Sequence, residues 1–141
     1  MIKLLPEQAA KLWHFIRFAI AETFVVRESA TNDILQNYLV TILTGQRQVW
    51  AILDSEKNII AILITRISSE SLTGERVLSM DNLYAFAIVP QGEWDKAFET
   101  LVKFAQSNQC KALTANTLNP RIKDLAGMYG FKEVTYLVKE V

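Results

Sequence analysis

Chemistry in a protein needs side chains that coordinate, attack or move a proton, and this chain holds few of them in groups. It has one histidine, His14, and one cysteine, Cys110, with its carboxylates scattered. No spacing among them forms a metal-ligand set, so no metal is expected. His14 sits beside Trp13, off the main apolar stripe of the first predicted helix, which suits a surface or half-buried structural role. Cys110 cannot form an internal disulfide. As a nucleophile it would need a base and an activating field; the sequence supplies neither, and it reads as an inert thiol. The most conspicuous polar pair is Asp81-Asn82, which interrupts an apolar strand. It fits a β-bulge whose side chains satisfy nearby backbone groups.

These residues need elements to position them. Met1–Leu5 predicts a short strand, and Pro6 with Glu7 suits the start of a helix. Leu12, Phe15, Ile16, Ala19, Ile20 and Phe24 continue it at helical spacing, to an end near Thr23–Val26. Ser29 or Thr31 can cap a second helix, with Ile34/Leu35, Tyr38/Leu39 and Ile42/Leu43 as its stripe and Gly45 as its stop. The period then becomes extended. Strands are predicted at 48–53, 59–67 and 76–89, the last broken or bulged near Asp81-Asn82; the three form an antiparallel meander. Pro90-Gln91-Gly92 ends it. A helix follows to about Asn108, then a strand over 111–117 that should lie parallel to residues 82–89 of the third meander strand. Asn119-Pro120 starts a last helix, which Gly130 ends, and Phe131–Val138 predicts a final strand. The fold class is α/β (α+β): one mixed sheet, an antiparallel meander followed by a parallel βαβ unit, with helices on both faces.

The composition narrows the function classes. A chain of 141 residues, half of them apolar, is one domain spanning 1–141 with a core of its own. Fifteen basic residues balance fifteen acidic ones, seven of each in 1–70 and eight of each in 71–141. No charged tail or basic face is available for nucleic acid or an anionic membrane. The start, MIKLLPEQ, has no apolar run suited to a signal peptide, and Ile59–Ile64 is too short to span a membrane. With the lone cysteine, this predicts a soluble chain of the cytoplasm.

The element order resembles that of the GNAT acetyltransferase superfamily, over essentially the whole chain. Leu83 to Pro90 looks like the family's fourth strand, which ends in an apolar residue, a spacer and proline before the cofactor loop. Asn119 to Phe131 looks like its closing motif: asparagine, a short helix, then Gly130-Phe131. Small GNAT-like chains of tailed phages are similar in kind. The resemblance implies acetyl-CoA contacts at Val89, Gln91, Gly92 and Asn119. It also places a general base or substrate contact in the region of Asp81.

The departures from the family pattern weigh against that chemistry. The family's cofactor loop looks like Arg/Gln-x-x-Gly-x-Gly/Ala, and its backbone N–H groups hold a pyrophosphate at a helix start. Counted from Pro90, Glu93 stands for the arginine, and Trp94, Lys96 and Phe98 for the glycines. Glu93 and Asp95 would repel a pyrophosphate. The family's proton-donating tyrosine falls at Ala126, with Tyr129 three residues on as the substitute candidate. Trp94 is expected to pack over the vacated cleft. The sequence reading is therefore a GNAT-fold protein that has lost acetyl-CoA chemistry, needs no cofactor, and serves as a binding or structural module with a protein partner or a second copy. The alternative is a divergent N-acyltransferase using acetyl-CoA and an amine.

Overall fold

A computed structural model describes residues 1–24 and 30–141. In chain order the elements are β1 (Ile2–Lys3), α1 (Pro6–Lys11), α2 (Trp13–Thr23), α3 (Asn32–Leu43), β2 (Arg47–Leu53), β3 (Ile59–Ser69), β4 (Arg76–Ala85), α4 (Gln91–Ser107), β5 (Ala112–Ala115) and α5 (Pro120–Met128). The five strands form one sheet in the order β1-β2-β3-β4-β5. Neighbours are antiparallel from β1 to β4, and β4 and β5 are parallel. The predicted mixed sheet is therefore the one observed.

Alternation along the strands divides the core between two faces. Val49, Ala51, Ile62 and Ile64 point to the side carrying Ile16, Ile20, Leu35 and Ile42 of α2 and α3. Trp50, Leu63, Leu78 and Met80 point to the other side, against Phe98 and Leu101 of α4. A strand covered on both faces needs a continuous apolar run, which Ile59–Ile64 supplies. The buried Trp50 indole donates to Thr65 Oγ1 at 2.9 Å, so this large side chain leaves no polar atom wanting.

The helices start and stop for local reasons. Pro6 opens α1, and Gln8 Oε1 accepts from the Leu5 N–H at 2.8 Å. The predicted single first helix is instead two, with a break at Leu12 that no proline or glycine requires. The break lets α1 pack on α3 while α2 crosses β4. Thr31 caps α3, its Oγ1 accepting from the Ile34 N–H at 3.4 Å; Ser29, the other predicted cap, and Val25 and Val26 lie outside the described residues. Gly45 follows α3 at φ +80°, a left-handed conformation that favours glycine.

Three expectations about strands need correction, and two share one cause. Ile64 pairs with Asn82 but Thr65 pairs with Met80, so Asp81 is an extra residue on β4: the expected bulge. It re-aims the strand. Parallel pairing with β5 therefore runs over Val77–Met80 and Ala112–Ala115, not over 82–89 and 111–117, and β4 ends at Ala85 instead of Val89. The strands part at Asp81, well before Pro90. The predicted last strand, Phe131–Val138, is not formed. Phe131 is held back by its N–H bond to Ala126 O and by its ring against Phe98, and the residues after it meet no sheet edge.

Candidate functional site

Where β4 turns away from β5, the sheet opens into a cleft of about 800 Å³. Asp81, Asn82, Tyr84 and Val89 line one side, and Asn119 and Arg121 the other. From Asn82 to Ala85 the β4 backbone pairs with β3 alone among the described residues. Its other edge presents unpaired peptide groups to the cleft, and such groups are strong hydrogen-bonding partners for anything that enters.

The bulge is held by a compact polar cluster. Asp81 Oδ1 accepts from Ser79 Oγ at 2.7 Å, and Oδ2 accepts from Arg66 Nε at 3.1 Å. Arg47 Nε lies 3.7 Å from the same oxygen, and its guanidinium sits over the Tyr38 ring at 3.8 Å from the centroid. Burial pushes the Tyr38 hydroxyl pKa up and the Asp81 charge adds to this, while Arg47 opposes it. Asn82 is buried, and its Nδ2 donates to Thr23 Oγ1 at 2.9 Å, tying the bulge to the end of α2. Asp81 thus anchors two guanidinium groups beside the cleft; its carboxylate oxygens are already engaged. Sequence reasoning found Asp81-Asn82 but missed Arg47, Arg66 and Thr23. Their convergence depends on strand register, with Arg47 facing Arg66 across the β2–β3 ladder.

A second cluster lies where α4 begins. Tyr129 Oη donates to Asp95 Oδ1 at 2.5 Å and accepts from Gln91 Nε2 at 2.7 Å. The Tyr129 ring stacks on Phe98, with centroids 4.1 Å apart. Loss of water around the phenol and the bond to Asp95 both push the Tyr129 pKa up. Tyr129 is thus a strut between α5 and α4, and it is not among the residues that line the cleft. Gly92, in the first turn of α4, is open: a Cβ there would meet nothing within 4 Å. α4 starts directly after Pro90, which caps it without a side-chain bond, and Glu93 occupies its first turn. No glycine loop of the family type intervenes.

Trp94 is half-buried, packed against the α4 side of the sheet. It forms part of the cleft wall and leaves the cleft open, so the expected plug is only partial. Val89 is buried at 9% exposure and supplies apolar wall. Asn119 caps α5, its Oδ1 accepting from the Arg121 N–H at 3.0 Å. The structure therefore brings Asp81, Val89 and Asn119 to one cleft, puts Gln91 and Gly92 at the start of α4 beside it, and sets Tyr129 apart. Among the described residues no group of histidine, cysteine and carboxylate side chains could hold a metal, and no helix is long and apolar enough to cross a membrane.

No family model matches the sequence, and no curated protein matches it significantly. Solved structures do match. AAC(6')-Iy in complex with the bisubstrate analogue CoA-S-monomethyl-acetylneamine superposes with a TM-score of 0.70 at 11% identity, covering 93% of this chain and 91% of that one. An aminoglycoside acetyltransferase, HMB0005, from an uncultured soil metagenomic sample gives 0.69 at 15%, covering 99% and 96%. Ribosomal-protein-alanine N-acetyltransferase from Brucella melitensis biovar Abortus 2308 gives 0.64 at 14%, covering 99% and 97%. At such identities the likeness is one of fold, and the fold is that of the GNAT acetyltransferases. The expectation that no cofactor is needed is overturned here. Proteins of this fold act as acetyltransferases, and one of them is complexed with a CoA conjugate. In this chain the cleft volume, its apolar wall and the unpaired β4 edge fit the slender arm of CoA. The first turn of α4, with Glu93, does not fit the pyrophosphate in the family manner; among the described residues lining the cleft, the positive group is Arg121.

Proposed function

We propose that the protein is a divergent N-acyltransferase that holds an acyl-CoA thioester in the cleft between β4 and β5 and serves an amine acceptor. The open cleft at the Asp81 bulge carries this reading. A bound thioester would supply an activated acyl carbon. The peptide groups of β4 beyond Asp81 would bind and orient the amide-rich arm, and Val89 and Trp94 would exclude water from one wall. Arg121 would meet a phosphate, since Glu93 and Asp95 make the start of α4 unfavourable for one. Ala126 stands where the family pattern has its tyrosine, and Tyr129 is committed to Asp95 and Gln91. A departing thiolate needs little help at neutral pH, because an ordinary thiol has a pKa of about 8.5. As the C–N bond forms and the C–S bond breaks, water in the cleft would relay the proton that the amine gives up to the thiolate.

A second reading keeps the binding and drops the transfer. Alanine at 126, where the family pattern has its proton-donating tyrosine, favours it. Two measurements separate the readings. In a thermal-shift titration, acetyl-CoA at about 100 times its dissociation constant should add roughly 2.7 kcal/mol of stability. Thiol release is then followed with a panel of amines. Binding with amine-dependent release supports the acyltransferase, binding without release supports the second reading, and no stabilisation overturns both.

A further inference from the structure

A polar atom at the cleft lacks the partner its chemistry calls for. Asn82 is 6% exposed and lines the cleft, and its Oδ1 is buried with no hydrogen-bond partner. The amide cannot turn over to relieve this. Thr23 Oγ1 spends its hydrogen on the Ile20 carbonyl at 2.9 Å, so toward Asn82 it can only accept, and Asn82 must offer it Nδ2. The Asn82 amide also acts on the Tyr38 hydroxyl, tending to lower its pKa as an N–H donor does, so that contact does not serve Oδ1 either. Buried acceptors are normally paired, and what this one wants is a donor from the cleft.

The surroundings of that atom are aromatic. Asn82, Tyr84 and Phe86 alternate along one face of β4 and its continuation, and all three line the cleft. α2 sets Phe15 and Phe18 against them. Phe18 stands edge-on to Tyr84 at 5.6 Å and stacks on Phe86 at 6.4 Å, and Phe15 meets Phe86 edge-on at 6.2 Å. Yet Phe15 is 46% exposed, Phe18 48% and Phe86 37%. Rings that pack on one another and still face water offer their free faces and edges to a ligand. Carboxylates are few: those of the described lining are Glu22 and Asp81, and both Asp81 oxygens are already bonded. A polycationic acceptor would want an acidic lining, and this one is aromatic.

We propose that the amine taken by this cleft is an arylalkylamine, its nitrogen donating to Asn82 Oδ1 and its ring packing against Phe18 and Phe86. Asn82 and Tyr84 stand about 7 Å apart along the strand, a span that a two-carbon linker and a ring cover. The fate of the amine as acyl acceptor rests on the acyl-CoA reading; its binding does not.

Calorimetry with 2-phenylethylamine, with and without coenzyme A present, tests the binding apart from any transfer. It should bind more tightly than ethanolamine, which carries the amine without the ring. N,N,N-trimethyl-2-phenylethylammonium keeps the ring and the charge but has no N–H, and should bind about tenfold more weakly than 2-phenylethylamine. Phe18→Ala should weaken 2-phenylethylamine by about fivefold to tenfold and leave ethanolamine unchanged. Phe18 is half exposed, so the variant should keep the parent's circular dichroism. The proposal falls if 2-phenylethylamine does not bind, if ethanolamine binds as well, or if the trimethylated form binds as tightly. It also falls if the preference for the ring survives Phe18→Ala combined with Phe86→Ala. Thiol release from acetyl-CoA tells the two readings apart. Ring-dependent amine binding without acetyl-CoA binding upholds the amine site and overturns the acyl-CoA reading. Acetyl-CoA binding with release driven by ethanolamine ahead of 2-phenylethylamine upholds the acyl-CoA reading and overturns this proposal.

Discussion

Asp81 is one residue too many on β4, and its side chain is what makes that extra residue tolerable. The Asp81 and Arg47 side chains are each 13% exposed, so their pairing is shielded from water, whereas Arg66 is 46% exposed. Asp81→Ala would leave the Arg47 guanidinium buried without its counter-charge, and should destabilise by about 2–3 kcal/mol. Arg66→Ala should cost less than about 1 kcal/mol, because an exposed pair gains little. Urea denaturation of the two variants checks the ordering; equal losses would show that Arg47 is not what Asp81 serves. At this scale the sequence shows half of the cluster. A polar pair inside an apolar strand announces a bulge, as Asp81-Asn82 does. Which arginines answer it depends on the register of strands far apart in sequence, and no local pattern encodes that.

Two kinds of element carry predictions, turns and helix ends. In the β2–β3 turn, Asp54 Oδ1 accepts from the Glu56 and Asn58 N–H groups, and bonding to the Asn58 backbone is the main cause lowering its pKa from 3.8. In the β3–β4 turn, Glu70 Oε2 accepts from the Thr73 and Leu72 N–H groups, and those bonds lower its pKa from 4.5. A depressed carboxyl pKa stabilises the folded state above the unfolded value and loses that contribution as pH falls through the folded value. An NMR titration should show Asp54 with its midpoint below 3.8 and Glu70 below 4.5. The Asn58 and Thr73 amide shifts should move with them. In the first turn of α5, Arg121→Ala removes the positive charge that would meet a phosphate at the cleft, and should weaken acetyl-CoA binding by about tenfold in calorimetry at low salt. An unchanged affinity would place the phosphates elsewhere. The helix starts at Pro6 and Asn119 were legible because proline and asparagine act on their own neighbours. The last strand was misread for the opposite reason. Its alternation is real, but a strand exists only where an edge receives it.

Taken as a whole, the molecule is joined unevenly. β2, β3 and β4 are sequence neighbours with long ladders, while β5 is attached through α4 by four residue pairs. The topology was readable from the order of periodicities; the width and place of the cleft were not, since they follow from a single added residue. The short β4–β5 ladder has a dynamic consequence. The sheet should open in two cooperative units, with β5 and α5 detaching at lower free energy than the meander unfolds. Native-state hydrogen exchange should find the Leu113 and Thr114 amides opening sub-globally, and those of Ile62 and Ile64 only with global unfolding. A ligand seated between β4 and β5 would bridge the seam between these units. Its first signature would then be slower exchange in β5 and α5 alone, as the looser half of the protein acquires the lifetime of the tighter one.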